Sequence, residues 1–123
     1  MKASTYRKRI IANMKSVGTY RSEFDKAIGE MANICEDMDA ARERFREEGS
    51  EIIISYTNKN GSTNFVKNPL YLAIEGMQAS ILQYSRELGL TPAGLKKLSG
   101  ENMKNGKEGA SPFAKLLESM GSG

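Results

Sequence analysis

Apolar residues along the chain change period twice. Between Ser4 and Ser16 the residues Tyr6, Ile10, Ile11 and Met14, with Val17 just beyond, recur at helical spacing. Arg7, Lys8, Arg9 and Lys15 fill much of the remaining circumference, so the pattern predicts a short basic amphipathic helix. Gly18 reads as its stop and Thr19 as the N-cap of the next helix, because glycine accepts left-handed backbone and a threonine hydroxyl can receive free amides. From Tyr20 to Glu48 the positions Phe24, Ile28, Met31, Cys35, Met38, Arg42 and Phe45 alternate in steps of four and three. That is a heptad seam broken only by Arg42. At the rise of an α-helix this run would be roughly 43 Å long, more than a small single globule needs. Gly49 closes it.

The stretch "EIIISYTNKNGSTNFV" then turns to β-formers on both sides of an Asn-Lys-Asn-Gly turn, a hairpin signal. Two strands alone are marginal in water and need support, and the tip is expected to protrude. Asn68 as cap and Pro69 in the first turn start a second long helix. Its seam runs through Leu70, Ile74, Met77, Ile81, Tyr84 and Leu88. Gly89 ends it, Leu90 supplies the apolar contact after the stop, and Thr91-Pro92 caps a short helix carrying Leu95, Lys96, Lys97 and Leu98. Two long seams joined by a chain reversal are expected to pack antiparallel, crossing at about 20°.

The expected fold is therefore mainly α: a long antiparallel helix pair joined by a small β-hairpin, with short helices at both ends. Residues 1–18 form the basic N-terminal helix, and residues 19–98 an oligomerisation core containing the hairpin at 51–67. Residues 99–123 form a linker, rich in Gly, Asn, Lys and Glu, followed by the apolar segment "SPFAKLLESM". Phe113, Leu116 and Leu117 make that segment a candidate docking helix; folding back on its own chain is the alternative.

Composition narrows the chemistry. A chain of 123 residues fits one small domain, and with no Trp its packing falls to Leu, Ile, Met and Ala. The net charge of +3 says little, but its distribution is uneven. Lys2, Arg7, Lys8, Arg9, Lys15 and Arg21 precede the first acid, whereas residues 22–51 are strongly acidic. One cysteine, Cys35, excludes an internal disulfide; without His, a conventional zinc site and histidine-based nucleophilic catalysis lack their residues. Glu36, Asp37 and Asp39 read as a solvated face rather than a magnesium site. "GENMKNGKEGAS" fails the phosphate-loop frame because Glu108 follows Lys107. The methionines at seam positions read as core packing rather than a promiscuous groove. No cofactor or metal is expected, and no apolar run approaches the roughly 18 residues of a membrane span, so an intracellular protein is expected.

The basic first helix has three readings: phosphate neutralisation on DNA, attraction to an anionic membrane, or balance for the acidic helix of a neighbouring subunit. Arg86, Lys96 and Lys97 add a second cluster, which could equally compensate helix C-terminal dipoles.

The order "GTYRSEFDKAIGEMANICEDMDAARERFREEG", "YTNKNGSTNFVKNP", "SRELGLTPAGLKKL" resembles the small subunits of phage terminases, a family marked by an Asn-Pro helix start and a Leu-Gly-Leu-Thr-Pro corner. The resemblance covers roughly residues 15–98 and makes Asn68, Pro69, Leu88, Gly89, Leu90, Thr91 and Pro92 its signature positions, which physically are caps and corners. It implies a non-catalytic protein that recognises double-stranded viral DNA at the packaging start site and hands it to a large-subunit ATPase and nuclease. It also implies a homo-oligomeric ring of roughly eight to ten subunits. The expected setting is the cytoplasm of an infected bacterial host rather than the mature virion or a membrane. On that reading Lys2, Arg7, Lys8, Arg9, Lys15, Arg21, Lys96 and Lys97 are candidate DNA contacts. Phe24, Ile28, Met31, Met38, Phe45, Leu70, Ile74, Met77 and Ile81 serve the oligomer or the core. The alternative function is a non-enzymatic helical adaptor that oligomerises and binds only protein.

Overall fold

The computed structural model describes residues 1–105. Within them the chain forms α1 (Ala3–Val17), a 3-10 turn (Ser22–Phe24), α2 (Asp25–Glu47), β1 (Ile53–Thr57), β2 (Thr63–Lys67), α3 (Pro69–Glu87) and α4 (Pro92–Asn105). The mainly helical class and the helix pair joined by a two-stranded antiparallel hairpin are as the sequence predicts. Phe113, Leu116 and Leu117 lie outside the described residues.

The seams of α2 and α3 face each other. Ile28, Met31, Ala32 and Cys35 join Ile10 and Met14 of α1 and Leu88 in one buried cluster, with Phe24, Ile81 and Tyr84 packed against it. Ile74 is buried about two turns further towards the hairpin, where the Phe45 and Tyr71 rings meet at 5.4 Å. The start of α2 thus packs on the end of α3, and the end of α2 on the start of α3, which makes the pair antiparallel. Phe24, Met38, Phe45, Leu70, Met77 and Ile81 are half-buried along the same seams. A heptad seam does not state whether its partner belongs to the same chain; here α1, α2 and α3 partner one another.

Helix ends follow local chemistry. Gly18, at φ 78°, ends α1 with its amide donating to the Lys15 carbonyl and that of Thr19 to the Met14 carbonyl. Gly89, at φ 73°, repeats the motif on α3 through Arg86 and Ser85. Asn68 caps α3, its Oδ1 accepting from the Leu70 amide at 2.9 Å while its Nδ2 donates to the Glu51 carbonyl, fastening the helix to the hairpin base. Thr91 Oγ1 accepts from the Gly94 amide at 3.0 Å at the start of α4.

Two expectations need correction. Thr19 is not an N-cap: it is buried, and its hydroxyl is shared between the Met14 and Leu88 carbonyls at 3.4 and 3.3 Å. The first residues of the linker expected from Ser99 are helical instead, because α4 continues through Asn105.

The hairpin turn is a five-residue connection. The Gly61 amide donates to the Asn58 carbonyl, Gly61 takes φ 83°, and the Asn58 amide donates to the Ser62 carbonyl. This is the turn followed by a left-handed glycine that three-residue hairpin loops favour. Asn58 Oδ1 also accepts from the amides of Asn60 and Ser62.

Candidate nucleic-acid interface

The basic helix is fixed by acids of its own chain. α1 runs antiparallel to α2: the Met1 amino group and the Tyr6 hydroxyl donate to Asp39 Oδ2 at 3.3 and 2.6 Å, and the Ala3 amide donates to Glu36 at 2.6 Å. Arg7 reaches Asp25 at 3.9 Å, and the Tyr20 hydroxyl donates to Asp25 at 2.9 Å. The hydrogen bond from Tyr6, with the amino terminus and Arg42 nearby, holds the Asp39 carboxyl below its ordinary range. The same bond, helped by partial burial, pushes the Tyr6 phenol up to about 12. Tyr20 is raised in the same way by Asp25. Part of the acidic face on α2 is thus a docking strip for α1, which sequence reasoning assigned to solvent.

That docking sorts the candidate bases. Arg7 lies against α2, with a guanidinium nitrogen over Gly29, and Lys15 Nζ sits 5.3 Å from the centroid of the Tyr20 ring. Lys2, Lys8, Arg9 and Arg21 are exposed and form no ion pair among the described residues, and the same holds for Lys96 and Lys97. Val17 and Leu95 pack together, which brings the last turn of α1, with Lys15, to the turn of α4 carrying Lys96 and Lys97. Arg86 and Lys97 share a shallow groove there with Glu87, Ala93, Gly94 and Leu98.

The structure therefore gathers Lys15, Arg86, Lys96 and Lys97 at the corner end of the bundle. Lys2, Lys8 and Arg9 extend along α1, away from that corner. Such a surface offers separated cationic points suited to a polyanion backbone. Arg86, grouped with Lys96 and Lys97 in the sequence but not counted there among the DNA contacts, lies beside Lys97 across the Leu-Gly-Leu-Thr-Pro corner.

Among the described residues no group of His, Cys, Asp and Glu could hold a metal ion. Cys35 is buried and its thiol is pushed up by desolvation, which makes it a packing residue rather than a nucleophile. No described helix is long and apolar enough to cross a membrane.

The family described as phage terminase, small subunit, matches residues 3–105, from the start of α1 to the end of α4. The chain belongs to that family. No curated protein and no solved structure gives a significant match. The family match includes the Asn68-Pro69 helix start and the Leu88–Pro92 corner, and in this fold both are the joints that hold α3 to the hairpin and to α4. Terminase small subunits are in general the non-catalytic partners in phage DNA packaging, acting with DNA and a large subunit.

Proposed function

We propose that the chain is the DNA-recognition subunit of a viral packaging motor. It assembles as a ring of roughly eight to ten copies, binds double-stranded viral DNA at the packaging start site and delivers it to the large-subunit ATPase and nuclease. It has no catalytic activity of its own and works in the cytoplasm of the infected host. The observation that carries this reading is the family match across all four helices, supported by the free bases on α1 and α4.

Lys2, Lys8, Arg9, Lys15, Arg21, Lys96 and Lys97, with Arg86, meet the phosphate backbone. Arg7 contributes less, since Asp25 already draws on its charge. Any one subunit binds weakly; linked subunits act at high effective concentration and multiply that affinity.

Lys8→Glu together with Arg9→Glu tests the assignment, because both residues are exposed and their change leaves the core intact. DNA affinity should fall at every salt concentration, and the slope of log affinity against log salt should shrink by about 0.9 for each phosphate that is no longer neutralised. An unchanged slope refutes the role of α1. A wild-type chain that binds no DNA even at low salt favours the adaptor reading.

A further inference from the structure

We propose that α3, the turn at residues 88–91 and α4 form a helix-turn-helix, and that α4 is the recognition helix that enters the major groove of double-stranded DNA. The inference rests on the DNA-binding reading above and deepens it: Lys96 and Lys97 meet base edges as well as phosphates, and the sequence of the duplex is read at this corner.

The corner has the parts that such a unit needs. α3 ends at Glu87 and α4 starts at Pro92, so four residues join them, the turn length that this motif uses. Gly89 sits in that turn at φ 73°, and a Cβ there would press on the Leu98 and Thr19 methyls. Gly94, in the first turn of α4, lies so close to the Arg86 backbone that a Cβ would collide with it. The two glycines thus let α4 rest directly on the last turn of α3. A third helix braces the pair: Val17 of α1 packs against Leu95, and the Thr19 hydroxyl reaches the Leu88 carbonyl at 3.3 Å. Three helices around a shared core are the frame that holds a recognition helix in a fixed orientation.

That packing divides α4 into two faces. Gly94, Leu95 and Leu98 turn inwards, while Ala93, Lys96 and Lys97, spaced by three and four residues, make one exposed face. Lys96 and Lys97 are the only charges from Pro92 to Leu98. Compensation of the helix dipole, the other role open to them, requires a place in the last turn. α4 runs for 14 residues to Asn105, so both lysines stand in its first half, where a cation gains nothing from the dipole. Their charge is left for a partner outside the helix.

The chemistry of that face suits the major groove. The groove, about 12 Å wide, admits one helix, and recognition helices read it with the residues of their N-terminal turns. A lysine ammonium donates to guanine N7 and O6, and an alanine methyl packs on the thymine methyl. Arg86 lies beside Lys97, and the contact of Val17 with Leu95 brings Lys15 to the same corner, so both stand where they can hold the neighbouring phosphates. These four bases outnumber Glu87, the acid that lies beside Arg86 there.

The test is to incubate the whole chain with a pool of DNA duplexes whose central base pairs are randomised, and to sequence the duplexes it retains. The wild type should enrich a motif that contains guanine, and methylation of guanine N7, an atom of the major groove, should block its binding. Lys96→Gln and Lys97→Gln alter exposed side chains, so helical circular dichroism should stay unchanged. Glutamine prefers adenine where lysine prefers guanine, so each variant should change the motif at one or two base pairs, with discrimination there shifting about tenfold. Lys8→Glu with Arg9→Glu should keep the wild-type motif at lower affinity. A wild type that binds duplexes without preference, or Gln variants that keep its motif and lose affinity evenly, would overturn the helix-turn-helix and leave DNA binding standing. A wild type that retains no duplex even at low salt would overturn the DNA-binding reading, and this inference with it.

Discussion

Replacing Gly94 by alanine should destabilise the protein, although alanine is the better helix former. Gly94 lies in the first turn of α4, and a Cβ there would collide with the backbone of Arg86 in the last turn of α3. It would meet the carbonyl oxygen first, then the carbonyl carbon and Cα at 2.8 and 2.9 Å. Carbon atoms rest about 3.5–4.0 Å apart, so α4 would have to withdraw by roughly 1 Å. The obstacle is helix backbone, which cannot swing aside as a side-chain tip does. Withdrawal loosens Leu95, which is completely buried, and the Leu98 methyl packed beside Gly89. Forced overpacking of this kind costs about 1–3 kcal/mol, and alanine returns about 1 kcal/mol of helix propensity. The net expectation is a loss of up to about 2 kcal/mol.

Gly76 in the exposed part of α3 is the control, because a Cβ there meets nothing within 4 Å. The same substitution at Gly76 should raise stability by up to about 1 kcal/mol. Urea unfolding followed by helical circular dichroism, at one fixed protein concentration, gives both midpoints. If Gly94→Ala rises alongside Gly76→Ala, α4 does not rest on the last turn of α3 and the corner is wrong.

Tyr6 and Asp39 give the protein a pH signature with two limbs. Tyr6 is raised from 10.0 to about 12, so its contribution is complete below pH 10 and is lost as pH rises through about 12. Asp39 is lowered from 3.8, so its contribution is present above that value and is lost as pH falls through the depressed one. Tyr6→Phe should flatten the alkaline limb of urea midpoint against pH; an unaltered limb would show that the Tyr6–Asp39 bond does not form in solution. Asn68→Ala removes the cap of α3 and the tie to Glu51 and should cost about 2 kcal/mol. Asn68→Asp keeps the acceptor and loses the donor, so its urea midpoint should fall between those of wild type and Asn68→Ala; a midpoint no higher than that of Asn68→Ala would contradict the capping geometry.

What the sequence revealed was local. Asn68-Pro69, Gly89 and Thr91-Pro92 act within a turn or two of themselves, and the structure gives each the expected hydrogen bonds. Thr19 misled because its partner, the Leu88 carbonyl, lies 69 residues away, beyond any local signal. The seams were visible, but their ownership was not: a row of Ile, Met and Leu looks the same whether it packs on its own chain or on another. The run from Ser99 to Asn105 looked like a linker because Gly, Asn and Lys form weak helices alone, and here it extends a helix already started and docked. For the candidate interface, the charge clusters were legible, whereas the engagement of Arg7 by Asp25 and of the amino terminus by Asp39 required the packed α1–α2 pair.

The Thr19 hydroxyl also bears on the order in which the chain folds. α1 packs on α2, α2 on α3, β1 on β2 and α3 on α4, so most elements dock on one that has just been made, a topology of short loops that favours fast folding. The contacts that join the end of α1 to Leu88 and to Leu95 are different, since they must wait until the whole helix pair and its corner exist. They behave as a latch: the bundle can assemble progressively as the chain emerges from a ribosome, with α1 first held by α2 alone and its C-terminal end fastened last, when the corner at Gly89 closes over it.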